Sequence, residues 1–74
     1  MNSNPSQLKE ELADSRVESM MVLSKMINYF VDATSADQET VVKIANLELQ
    51  INDLARQIQK LMYDKIDEVD SERN

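Results

Sequence analysis

The chain contains no glycine, and its single proline is at position 5. Those two residues are the strongest local breakers of regular structure. Everything after Pro5 must therefore be interrupted by small polar residues, if it is interrupted at all. Only one such cluster exists, Asp32-Ala33-Thr34-Ser35-Ala36-Asp37. Ahead of it, Asn4 can cap a helix and Pro5 suits the first helical position. Gln7 stands three residues after Asn4, where a capping-box partner belongs. Glu10 and Glu11 suit the positive end of a helix dipole. After the break, Ser35 and Gln38 repeat the capping-box spacing, with Asp37 and Glu39 in the first turn. No segment alternates apolar and polar residues long enough for a strand. The pattern predicts helix 1 over about 5–31, a loop at about 32–35 and helix 2 over about 36–69. The acidic C-terminus, Asp70 to Asn74, is expected to fray. The fold class expected is all-α, a single-domain antiparallel two-helix hairpin spanning 1–74 with coiled-coil-like packing. At 1.5 Å per residue the helices measure about 40 and about 50 Å, so the second should overhang.

Helix 2 carries the sharpest pattern. Ile44, Leu47, Ile51, Leu54, Ile58 and Leu61 follow 3-4 spacing, with Ile at every a position and Leu at every d position of a heptad. Lys65 and Glu68 occupy the next a and d positions and end it. Such a stripe is the expected hairpin core. It is also the pattern of a two-stranded coiled coil, though three heptads are few for one. The g positions (Lys43, Gln50, Gln57, Asp64) and the e positions (Glu48, Ala55, Met62) do not read as a pairing code. Ala55 and Met62 widen the stripe to a face able to meet more than one helix. Packing against helix 1 and self-association are both open, and both uses coexist in a four-helix dimer. Val42, Leu49 and Tyr63, with Arg56 in the same row, are expected on the opposite side of helix 2. That row is either a solvated face or a second contact line.

Helix 1 is apolar over a broader arc. Leu8, Leu12, Val17, Met20, Leu23, Ile27 and Phe30 or Val31 form one face, and Met21, Val22, Met26 and Tyr29 spill beyond it. A two-helix hairpin has one inward side and cannot bury all of this. Methionine adapts to irregular partners. Met20, Leu23, Met26, Ile27 and Phe30 are therefore the candidate partner-binding residues.

Composition removes other functions. Lys plus Arg is 8 and Asp plus Glu is 14, a net charge of −6. That balance argues against nucleic-acid binding, which needs clustered cations. There is no Cys and no His, so disulfides, Cys/His metal sites and the commonest general base are missing. No nucleophile, base and orienting group assemble, so no catalytic residues and no enzymatic activity are expected. Asp67 and Asp70 lie on adjacent turns, but no calcium-type loop accompanies them; Asp64, Asp67, Glu68, Asp70 and Glu72 read as a solvated helix end. No cofactor and no metal are expected. The N-terminal residues show no leader pattern, no lipidation motif is visible, and Met20 to Leu23 is the longest apolar run, so neither a membrane span nor a membrane partner is expected. A cytoplasmic protein is the expectation. A chain this short buries only about 60% of its unfolded surface, so the missing stability should come from oligomerisation or a partner.

Two stretches resemble a known family. Leu8-Lys9-Glu10-Glu11-Leu12 with Ser15-Arg16-Val17-Glu18 looks like the opening of helix 1 in the small E-component co-chaperones of type III secretion needle subunits. Leu47-Glu48-Leu49-Gln50-Ile51, Leu54-Ala55, Ile58 and Leu61-Met62-Tyr63 resemble that family's second helix. Ala33-Thr34-Ser35-Ala36 stands where members often have Gly or Pro. The resemblance implies a helical hairpin that binds a larger helical-repeat chaperone subunit. The pair would keep the needle subunit soluble and monomeric before export, and the resemblance implies no catalytic residue. The alternative from a different class is a small acidic homodimeric four-helix regulator or phage-type inhibitor.

Overall fold

The computed structural model describes residues 4–73 and consists of two α-helices, α1 (Pro5–Thr34) and α2 (Gln38–Arg73), joined by three residues. The expected all-α hairpin is the fold found. Its extents are 56 × 19 × 12 Å. The radius of gyration is 17.1 Å, where a globular chain of this length would have about 11 Å.

The start of α1 follows the cap chemistry in part. Asn4 Oδ1 accepts from the Ser6 amide at 2.8 Å, the Asn4 carbonyl accepts from the Leu8 amide, and Pro5 opens the helix. Gln7 does not reach back to close a capping box; its amide donates forward to Glu11 at 3.3 Å. Met1, Asn2, Ser3 and Asn74 lie outside the described residues.

The break falls three residues later than predicted. Thr34 stays helical and returns its hydroxyl to the Phe30 carbonyl. Ser35 then takes the left-handed conformation, φ 50° and ψ 46°, and ends α1. Glycine is the usual residue at such a position, and this chain has none. Ser35 therefore terminates the first helix instead of capping the second. The cap of α2 is Asp37. Its carboxylate accepts from the Thr40 amide at 3.2 Å and the Thr40 hydroxyl at 2.7 Å, and its carbonyl accepts from the Val41 amide. The two bonds from Thr40, its hydroxyl first and then its amide, hold the Asp37 carboxyl below the usual aspartate range. At the far end α2 continues through Arg73, so the predicted fraying from Asp70 is not found in the described residues.

The line along which α2 meets α1 is the main departure from expectation. The half-buried residues of α2 include Val41, Ile44, Glu48, Asn52, Ala55, Gln59, Tyr63 and Ile66. Their spacing is 3-4-4, an eleven-residue repeat. On α1, Lys9, Leu12, Arg16, Met20, Leu23, Ile27 and Val31 are half-buried with the same repeat. Eleven residues overshoot three turns of an α-helix by about 20°, whereas seven fall about 20° short of two, so the eleven-residue line drifts less per residue and in the opposite sense. The hairpin thus pairs its helices along a line that winds slightly the other way from the heptad stripe.

Polar contacts pin the open end. Tyr63 donates its hydroxyl hydrogen to the Lys9 carbonyl at 2.7 Å. Lys9 Nζ pairs with Asp67 at 2.6 Å and lies 5.4 Å from the centre of the Tyr63 ring. Midway, Arg16 Nε donates to Gln59 Oε1 at 2.5 Å. Tyr63 was expected on the outer row with Val42 and Leu49. Those two are exposed, but Tyr63 turns to α1, because twenty-one residues of drift rotate it by about 60° from Val42.

Candidate interaction surface

Among the described residues none is buried, polar or apolar. Whatever apolar surface the two helices present is therefore available to a further molecule. It is not spread evenly. Two open grooves run between the helices. One, of about 430 Å³, is lined by Pro5, Leu8, Leu12, Met62, Ile66 and Val69 among others. The second, of about 330 Å³, is lined by Leu12, Met20, Leu23, Ile51, Ala55, Ile58 and Met62 among others. Leu12 and Met62 belong to both, so the grooves form one apolar channel along one side of the hairpin.

Ile51 and Ile58 of the Ile/Leu stripe stand on the α2 bank of that channel, and the stripe is not the hairpin core. Of the predicted core residues only Ile44 is half-buried. Along the a positions exposure climbs to 45% at Ile51 and 54% at Ile58; among the d positions Leu47 and Leu54 are exposed and Leu61 reaches 69%. The cause is the drift of a heptad on a straight helix, which places Leu61 about 100° round from Ile44. The contact line with α1 instead includes Glu48, Asn52 and Gln59. These are polar residues that an apolar-periodicity argument passes over. The only signal that finds them is the eleven-residue spacing. The midline of the Ile/Leu stripe lies about 100° from the midline of the α1 contact.

The candidate partner-binding set on helix 1 divides. Met20, Leu23 and Ile27 are half-buried on the side facing α2. Met26 and Phe30 are exposed, at 62% and 41%. Three residues assigned only to a spill-over, Met21, Val22 and Tyr29, are more exposed than Phe30. The most exposed apolar side chains of α1 thus lie on its outer side, displaced from the predicted set.

The acidic end is organised by charge pairs. Asp67 pairs with Lys9, Asp64 with Lys60 at 3.2 Å, and Glu68 with Lys65 at 3.1 Å. At the other end of α2, Lys43 pairs with Glu39 at 3.3 Å. Gln57 donates to Asp53 at 2.9 Å. Among the described residues no cluster of three or more Asp or Glu side chains is arranged to hold a metal ion. No helix among them is long and apolar enough to cross a membrane.

No protein-family model matches the chain, and no curated protein and no solved structure matches it either.

Proposed function

We propose that the protein is a non-enzymatic protein-binding module, a co-chaperone hairpin that works with a larger helical-repeat subunit in the cytoplasm to keep a secretion needle subunit monomeric before export. The observation that carries this reading is a folded hairpin with no buried residue among those described and large apolar side chains exposed along both helices. Such a chain gains stability by binding, because a partner that takes only the folded form shifts the equilibrium toward it. The resemblance of the Leu8–Glu18 and Leu47–Tyr63 stretches to the needle co-chaperones supplies the class of partner, and the hairpin fold is compatible with it. On α1 the residues offered to the partner are Met26 and Phe30, together with Met21, Val22 and Tyr29.

The test is reconstitution with a helical-repeat chaperone subunit and a needle subunit from the same genome. A stoichiometric ternary complex in which the needle subunit stays monomeric by light scattering is expected. Met26→Asp should weaken that complex while circular dichroism of the isolated chain stays unchanged. A chain that elutes apart from both proteins overturns the reading.

A further inference from the structure

We infer that the Ile/Leu stripe of α2 is the interface for a second copy of this chain, arranged antiparallel so that two hairpins close into a four-helix bundle. This does not rest on the co-chaperone reading.

Three observations converge on this occupant. The first is area. The chain exposes 6022 Å², whereas a compact monomer of its mass exposes about 4,700 Å². The excess, about 1,300 Å², is more than the 600 to 1,000 Å² or so that each partner buries in a standard interface.

The second is geometry. The stripe and the α1 contact line lie about 100° apart on α2, close to the right angle between neighbouring contacts in a square four-helix bundle. The channel between the helices opens on the same side, with Ile51 and Ile58 in its wall. The side chains of a second stripe have that channel to fill.

The third is charge. An antiparallel register that places Ile51 against Leu54 of the other copy also places Ile44 against Leu61 and Leu47 against Ile58. Every layer then contains one Ile and one Leu. In that register the g position Lys43 meets Asp64 of the second copy, twice by symmetry, and Gln50 meets Gln57. No like charges are opposed at these positions. Lys43 and Asp64 now hold exposed same-helix partners, Glu39 and Lys60. Exposed pairs of that kind are worth little and are readily exchanged. A parallel arrangement matches the same stripe and pairs Lys43 with Glu48. However, it sets the two acidic ends, Asp64 to Glu72, side by side, on chains already carrying −6 each. The charges therefore select the antiparallel form.

The experiment is sedimentation of the purified full-length chain across a wide concentration range, with circular dichroism on the same samples. A dimer that dissociates on dilution is expected. Leu54→Lys should weaken it about a hundredfold by placing a charge in the central layer. Lys43→Glu should weaken it about tenfold, since it makes two symmetric pairs repulsive. Adding Asp64→Lys to Lys43→Glu should restore the original affinity. A monomer at every concentration overturns the proposal. So does a dimer indifferent to Lys43→Glu, or one weakened by it and not rescued by Asp64→Lys. If Leu54→Lys fails to fold, the charge exchange decides, because it alters no apolar side chain.

Discussion

The Tyr63 hydroxyl donates to the carbonyl of Lys9, fifty-four residues away, at 2.7 Å. The same lysine sends its ammonium past the tyrosine ring to Asp67. One residue of α1 is thus held through its backbone and its side chain by one turn of α2. This clasp stands at the open end, where no loop ties the helices together. Tyr63→Phe keeps the ring and removes the hydrogen bond. It should cost about 1 kcal/mol in chemical denaturation. An unchanged midpoint would mean that the helices part there without loss.

Ser35 is in a conformation that glycine adopts freely and other residues resist. Ser35→Gly should therefore stabilise the hairpin by about 1 kcal/mol. For a chain of this size that raises the thermal midpoint by roughly 4–8 °C. Ser35→Val should lower it. A midpoint that falls for the glycine variant would show that the turn is held by contacts rather than by backbone preference.

Asp37 ties pH to the start of α2. Its carboxyl is held below the ordinary aspartate range, chiefly by the Thr40 hydroxyl. A carboxylate with a lowered folded pKa stabilises above its unfolded pKa of about 3.9 and loses that contribution as pH falls through the folded value. Asp37→Asn should lack this part of the acid transition. A thermal-midpoint curve recorded from neutral pH into that acid region checks it. Identical acid limbs for the two proteins would remove the cap from the account.

Leu54 and Ala55 are adjacent in sequence and should respond in opposite ways. Ala55 is half-buried on the α1 contact line, while Leu54 is exposed. On dilute samples, where association does not contribute, Ala55→Asp should unfold the hairpin by setting a charge between the helices. Leu54→Asp should cost only about 0.5 kcal/mol of helix propensity. The heptad alone predicts that Ile51→Asp unfolds the chain. With Ile51 at 45% exposure, the more sensitive position moves to Ala55. Helicity by circular dichroism distinguishes the two outcomes.

The hairpin was legible because glycine and proline are absent where a break would otherwise be ambiguous, leaving one polar cluster to turn the chain. Its exact turn was less so. Ser35 and Asp37 are both capping residues by type, and the sequence does not say which ends one helix and which begins the next. The contact line was obscured for a different reason. Ile44 through Leu61 is the most regular apolar series present, and regularity was read as burial within the chain. The helices instead meet through Glu48, Asn52 and Gln59, with Gln59 accepting from Arg16. Polar residues can occupy such a line when they are only half-buried and find partners. That condition depends on a second helix whose rotation the sequence does not state. Met26 and Phe30 belong to a partner surface that the sequence suggests because α1 carries more apolar residues than one face can hold, and both are exposed. Met20, Leu23 and Ile27 belong to the same series and fall on the inner side.

The heptad line and the eleven-residue line share Ile44 and then part company, until Leu61 stands well away from the helix it was expected to touch. The protein is therefore not equally editable along its length. Near the turn, one substitution changes both how the chain holds itself and what it offers to others. Toward the open end the two properties come apart, and either can be altered while the other is left in place.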